Sequence, residues 1–324
     1  MIVDLPNTTT AKISKALVRI REDGGAVALG RVLTLIIATE FGNEEEAIEA
    51  ANDASREHPM RVLVVSTSSA SSARDDDARV DAQIRVGGDA GASEVIVVTA
   101  HGDAALDQES LVTGLLLPDA PVVAWWPGEG PASASQSPIG RIAQRRITDA
   151  AASTNPLDAM HRMCKTYVPG DTDFAWTRLT LWRAQLAAVL DQPPYEAITA
   201  VTVSGAADSA STMLLAAWLQ MQLKVKVTLH VAEGSPVPTG IHAVILERAS
   251  GTITLERNMA NIATLTQPDQ PVHDISLPRR SLRDCLAEEL RRLDPDSLFG
   301  DVVRHGVSEI TGVQINNSTK AKSE

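Results

Sequence analysis

The sequence predicts an α/β protein of two domains, each with a central mixed β-sheet flanked by helices. Three observations lead there. Apolar, β-branched runs of strand length alternate with stretches whose apolar residues recur at helical spacing. At 324 residues the chain exceeds the usual size of one domain. Near residue 240 the texture shifts to short alternating runs punctuated by Gly, Asn and Pro, so the C-terminal half carries α+β elements.

The elements follow in order. Thr8 to Thr10 offer N-caps to a helix reaching Glu22, with Ile13, Leu17 and Ile20 on one face and Gly24-Gly25 as its stop. "AVALGRVLTLIIAT" ends in a buried strand at Thr39. Asn43 and Glu46 have capping-box spacing for a helix to about Glu57, closed by Pro59. Arg61–Thr67, "AQIRV", Ser93–Ala100 and Pro121–Trp126 read as strands. Ser66 to Asp81 and "GEGPASASQSP" read as exposed loops. A helix bearing Ile139, Ile142 and Ala143 leads into "QRRITDA", and another spans Pro156–Tyr167.

"PGD" at Pro169–Asp171 marks the expected boundary between an N-terminal domain, 1–168, and a C-terminal domain, 169–305. The second domain opens with "DTDFAWTRLTLWRAQLAAVL", where Leu179, Trp182, Leu186, Val189 and Leu190 form one helical stripe. "AITAVTVSG", "STMLLAAWLQMQL" and "KVKVTLHVA" give strand, helix and strand, the order of a parallel crossover. "IHAVILERASG", "TITLERN", "IATLTQP" and "HDISLP" read as an antiparallel meander. Ser281 and Asp284 open a last helix with Leu282, Cys285, Leu286 and Leu293 on its apolar face. Residues 306–324 are polar and read as a disordered tail.

Composition excludes several function classes. With 29 Lys and Arg against 41 Asp and Glu, the net charge of −12 repels phosphate backbones, so general nucleic-acid binding is not expected. No apolar run reaches the roughly 20 residues that span a bilayer, and the N-terminus lacks the regions of a signal peptide. Two distant cysteines, Cys164 and Cys285, make no disulfide scaffold, which suits a reducing cytoplasm. Both fall on apolar helix faces and read as inert thiols. The seven histidines show no metal-ligand spacing, and no metal or other cofactor is expected. His58, at a helix end, suits the helix dipole.

No G-x-G-x-x-G, P-loop, H-E-x-x-H or G-x-S-x-G motif occurs. The turn Gly87–Gly91 in "RVGGDAGAS" has the composition of a phosphate cradle, and equally that of a plain turn between strands. Arg145 and Arg146 offer bidentate donors for a phosphate or an acidic partner; a solvated helix end pairing with Asp149 explains them as well. Glu289 falls inside the apolar stripe of the last helix and is expected at its rim, with Arg292 as one possible partner. Trp125 and Trp126 are adjacent on a strand and must point to opposite faces. If helices cover both faces, both are core; if one face is open, one of them meets a partner. Trp176, Arg178 and Arg183 cluster near the edge of the stripe that carries Trp182. Tryptophan and arginine are common interface anchors. The seven residues Trp125, Trp126, Arg145, Arg146, Trp176, Arg178 and Arg183 are therefore the candidate partner surface.

Eight segments in order resemble one family. They are "GGAVALGRVLTL", "ANDASREHP", "DAQIRVGGDAGASEVIVV", "LLLPDAPVVAWWPG", "IGRIAQRRITDA", "YVPGDTDFAWTRLTLWRAQLA", "ALDQPPYEAITAVTVSGA" and "LPRRSLRDCLAEELRRLDPD". Together they resemble OpcA, the glucose-6-phosphate dehydrogenase assembly proteins. The resemblance implies a non-catalytic accessory protein of two domains. Its implied partner is glucose-6-phosphate dehydrogenase, at the entry of the oxidative pentose phosphate pathway, and its implied effect is to favour that enzyme's active oligomer. Met60 stands where many relatives carry a cysteine, so thiol control through this chain is not expected. The alternative reading is a sugar-phosphate or nucleotide-binding protein, or an enzyme, that uses the Gly87–Gly91 turn with Arg145 and Arg146.

Overall fold

A computed structural model of the chain describes residues 1–23, 30–67, 77–87, 94–232, 239–310 and 313–314. Two compact units result. The first comprises Met1–Thr154, Thr166–Phe174 and Arg280–Asp296; the second comprises Asn155–Lys165, Ala175–Arg279 and Ser297–Glu324. Each is built on one β-sheet with helices against it, the expected α/β class.

The strands of the first unit are β1 (Ile2–Leu5), β2 (Leu33–Glu40), β3 (Met60–Thr67), β4 (Arg79–Val86), β5 (Glu94–His101), β6 (Val122–Trp125), β7 (Arg145–Thr148) and β8 (Asp171–Asp173). They lie in the order β1-β4-β5-β3-β2-β6-β7-β8. From β5 to β8 all neighbours are parallel, while β4 and β1 add an antiparallel edge. Counted along the chain, the parallel strands follow the doubly wound order 3-2-1-4-5-6. The central strands are apolar on both faces because both faces are covered.

One face carries α2 (Glu44–Ala54) and the late helix Leu282–Arg291 (α9) over Leu35, Ile37, Val62, Val64 and Trp125. The other carries α1 (Thr10–Asp23), α3 (Gln108–Thr113) and α4 (Pro138–Ile142) over Ile36, Leu63, Val98, Val122 and Trp126.

Several local expectations change. Arg145–Thr148 is strand β7 rather than a helix end, and Asp171–Asp173 is strand β8 rather than a boundary loop. Ile2–Leu5, unassigned from sequence, pairs with β4. Asn43 precedes α2 without a side-chain cap bond. Ser66 and Thr67 end β3, as the strand reading of Arg61–Thr67 has it, and Arg79–Asp81 belong to β4 rather than to a loop. The capping box of Ser281 and Asp284 forms as its spacing predicts.

In the second unit the sheet order is β14-β13-β12-β11-β9-β10-β15. Parallel β9 (Ala200–Gly205) and β10 (Val227–Val231) are joined across α8 (Ala210–Leu223), whose N-cap Ser209 accepts from the Thr212 amide. The meander β11 (Ile241–Arg248), β12 (Gly251–Glu256), β13 (Ile262–Thr266) and β14 (His273–Ser276) is antiparallel throughout, as its alternation predicts. The chain also forms the helices α5 (Pro156–Thr166), α6 (Phe174–Thr177), α7 (Thr180–Leu190) and α10 (Ser297–Asp301). Past Gly306, α11 (Val307–Glu309) begins on a buried Val307, and β15 (Val313–Gln314) pairs parallel with β10. Among the described residues, no helix is long and apolar enough to cross a membrane.

Candidate functional site

In the first unit the chain reverses its direction of strand addition between β2 and β6. Open doubly wound sheets bind ligands in the crevice outside the strand carboxyl ends at such a point. A crevice of about 990 Å³ opens here, walled by the turn after β2, the end of β3 and Trp126–Pro131 after β6. Dinucleotide sites set glycines in the first strand–helix turn, so that backbone N–H groups and the helix N-terminus meet phosphate. Here Gly42 is followed by Glu44, Glu45 and Glu46 in the first turn of α2. Their charge suits the helix dipole and occupies the place where phosphate charge would sit.

Glu44 accepts a bond from the Ser66 hydroxyl. Glu45 is held by both terminal nitrogens of Arg85, at 2.7 and 3.0 Å. The Arg85 hydrogen bond draws its pKa below the usual carboxylate range. With Glu40 and Glu129 on the same walls, the crevice is acidic and opposes a nucleotide phosphate.

The structure encloses most of the seven candidate partner residues. Trp125 is fully buried beside Phe174, with ring centroids 5.6 Å apart. Trp126 lies in the opposite core, 6% exposed, and borders the crevice. Both faces of the sheet are covered, so both adjacent tryptophans are core. Trp176 is buried against Phe299, 5.6 Å between centroids, with the Arg183 guanidinium 3.8 Å over its ring. Arg178 and Arg183 are half-buried.

Arg145 and Arg146 are not a surface pair. They sit on consecutive positions of β7, so alternation sends them to opposite faces. Arg145 is bonded to Glu289 and donates to the Asp294 carbonyl at 3.0 Å. Glu289 therefore leaves its expected rim position: it is buried, its partner is Arg145 rather than Arg292, and Thr172 donates to its other oxygen at 3.3 Å. Arg146 pairs with Asp171 and donates to the carbonyls of Ala143 and Pro169, at 2.7 and 2.8 Å. Gly170 makes room for it. Its φ is +100°, and a Cβ there would meet the Gln144 oxygen at 2.5 Å and an Arg146 nitrogen at 2.8 Å.

The sequence reading missed a third charged cluster. Glu94, 1% exposed at the start of β5, takes bonds from Arg61 at 2.8 Å and Arg21 at 3.0 Å, with Arg31 at 3.6 Å. Burial opposes the ionised Glu94, and the arginines overcome it and hold its pKa low. The available signal was a lone glutamate heading an otherwise apolar strand.

Gly87 has the φ of +74° expected of a turn; the rest of that turn, 88–91, lies outside the described residues. Burial pushes the Cys164 thiol up to about 11, and Cys285 is core, so neither is a ready nucleophile at neutral pH. His58 Nε2 lies 3.2 Å from the Ala287 carbonyl. Among the described residues, no group of three or more His, Cys, Asp or Glu is placed to hold a metal ion.

Two family models match the chain. The glucose-6-phosphate dehydrogenase subunit N-terminal domain matches residues 51–165, and the C-terminal domain of that description matches 169–303. The chain belongs to the OpcA family of glucose-6-phosphate dehydrogenase assembly proteins. The family descriptions name a subunit of the dehydrogenase, and one of the two models is named for its assembly. No curated protein matches the OpcA-family chain.

Similar solved structures include KijD10, a 3-ketoreductase from Actinomadura kijaniata, at 10% identity and a TM-score of 0.45, over 85% of this chain and 96% of that one. They also include glucose-6-phosphate 1-dehydrogenase from Mycobacterium avium, at 10% identity and a TM-score of 0.43, over 85% of this chain and 91% of that one.

Proposed function

We propose that this chain is a non-catalytic accessory subunit that binds glucose-6-phosphate dehydrogenase and activates it by favouring its active oligomer. The observation that carries this reading is the pair of family matches, which together span residues 51–303. Activation follows if the subunit binds the active state more tightly than the inactive one. Turning a mostly inactive population mostly active needs about 5 kcal/mol of differential affinity. Such energy comes from surface, and Arg178 and Arg183 retain part of theirs while Trp126 borders the acidic crevice. In this reading the protein works in the cytoplasm, on the oxidative pentose phosphate pathway.

The competing reading, a sugar-phosphate or nucleotide site built on Arg145 and Arg146, loses support because both guanidinium groups are bonded inside the first unit. The test assays the cognate dehydrogenase at low substrate with and without this chain, with its mass followed by light scattering. A rise in activity with a shift to a larger or single oligomer is expected. No change in apparent substrate affinity, turnover or mass would reject the reading.

A further inference from the structure

Arg257 follows β12 directly, in the second unit. Its guanidinium lies over the buried Trp182 ring, 5.1 Å from the centroid, and one terminal nitrogen donates to the Leu277 carbonyl at 2.9 Å. Its Nε is buried and bonded to nothing among the described residues. No carboxylate among the described residues lies within ion-pairing distance of it. The adjacent Glu256 is turned to His242, 3.2 Å away.

The charged neighbour of Arg257 is another cation, Arg279: the Arg257 guanidinium holds the Leu277 carbonyl, two residues before Arg279, and its main-chain N–H donates at 2.8 Å to the His242 carbonyl, two residues past the Gly240 that Arg279 approaches. Burial, with Arg279 adding repulsion, brings Arg257 down to about 10. Arg279 is exposed and reaches toward Gly240, whose φ of +65° suits glycine; a Cβ there would lie 3.4 Å from Arg279 Nη1.

A half-buried cation with no counter-ion destabilises the fold that holds it. Two guanidinium groups together present two positive charges and rigid forks of N–H donors. One phosphate dianion matches that charge, whereas a single carboxylate leaves half of it unmet. We propose that Arg257, seated on Trp182, and Arg279, beside Gly240, form a binding site for a phosphate monoester dianion. The aromatic floor fixes the Arg257 plane, and the terminal N–H groups that the Leu277 carbonyl does not take supply the donors. The site belongs to the second unit and does not rest on the dehydrogenase reading.

The test melts the full-length protein in inorganic phosphate, in chloride and in acetate at matched ionic strength, and titrates phosphate by calorimetry. Phosphate is expected to raise Tm above chloride, as any ligand of the native state does. Arg257→Met should weaken phosphate binding at least about tenfold. The same variant should melt in chloride no lower than the parent, because it removes an unpaired charge and keeps an apolar stem over Trp182. That outcome separates a binding residue from a structural one, whose loss would lower Tm in every salt.

Arg279→Ala is exposed and carries the test should Arg257→Met fail to fold; it should weaken phosphate binding with Tm in chloride unchanged. The proposal is overturned if phosphate behaves as chloride does, if acetate stabilises as much as phosphate, or if Arg279→Ala binds phosphate like the parent.

Discussion

In the first unit Arg61, Arg145 and Arg146 are buried, and each meets a carboxylate from a distant part of the chain. In the second unit Arg257 is half-buried against Trp182, and among the described residues its guanidinium bonds a carbonyl and has a second arginine as its charged neighbour. The residue type is the same and the treatment opposite. The first arrangement spends its donors internally: Arg146 alone is bonded to Asp171 and two main-chain carbonyls. A guanidinium so committed has nothing to offer a partner. One left with unbonded N–H groups does. Buried arginine therefore says little until its counter-charge is located.

The comparison can be broken at its strongest point. Glu289→Ala leaves Arg145 buried without its counter-charge and should cost about 3–5 kcal/mol in denaturant unfolding. A loss under about 1 kcal/mol would place this pair with surface bridges and dissolve the contrast.

A second variant sharpens the contrast through pH. The folded pKa of Glu94 is depressed, so its contribution is present above the unfolded value of about 4.3 and is lost as pH falls through the folded value. Unfolding free energy should therefore decline on acidification in that window, and Glu94→Gln should flatten the slope there. An equal slope in parent and variant would mean that Glu94 titrates as it does in the unfolded chain.

The smallest effect is expected at Glu45, 67% exposed in its pair with Arg85. Glu45→Ala should cost less than about 1 kcal/mol by thermal melting. A larger loss would show that the crevice wall depends on it.

The same charges set the limit of what the sequence could reveal. β2, β3, β5 and β6 were legible because strands covered on both faces read as apolar runs. The meander was legible from alternation and turn residues. β7 and β8 were not, because "RRIT" and "DTD" look like loop or helix end until Arg146 is seen to meet Asp171 and Arg145 to meet Glu289. No window along the chain joins residues 144 apart. Glu289 did carry a signal, its place within the apolar stripe of α9, and the error lay in expecting solvent there instead of a partner on another element. The tryptophan question likewise turned on whether both sheet faces were covered, which α1, α3 and α4 on one side and α2 and α9 on the other decide.

The return of Arg280–Asp296 to the first unit has a consequence for synthesis. As the polypeptide emerges, Arg145 is made long before Glu289 and Cys285 exist, so the nascent N-terminal half carries a bare cation and a sheet face covered only by α2 until residues 280–296 have been made. A fragment ending near residue 168 would stay in that half-built condition, prone to aggregate and in need of a chaperone.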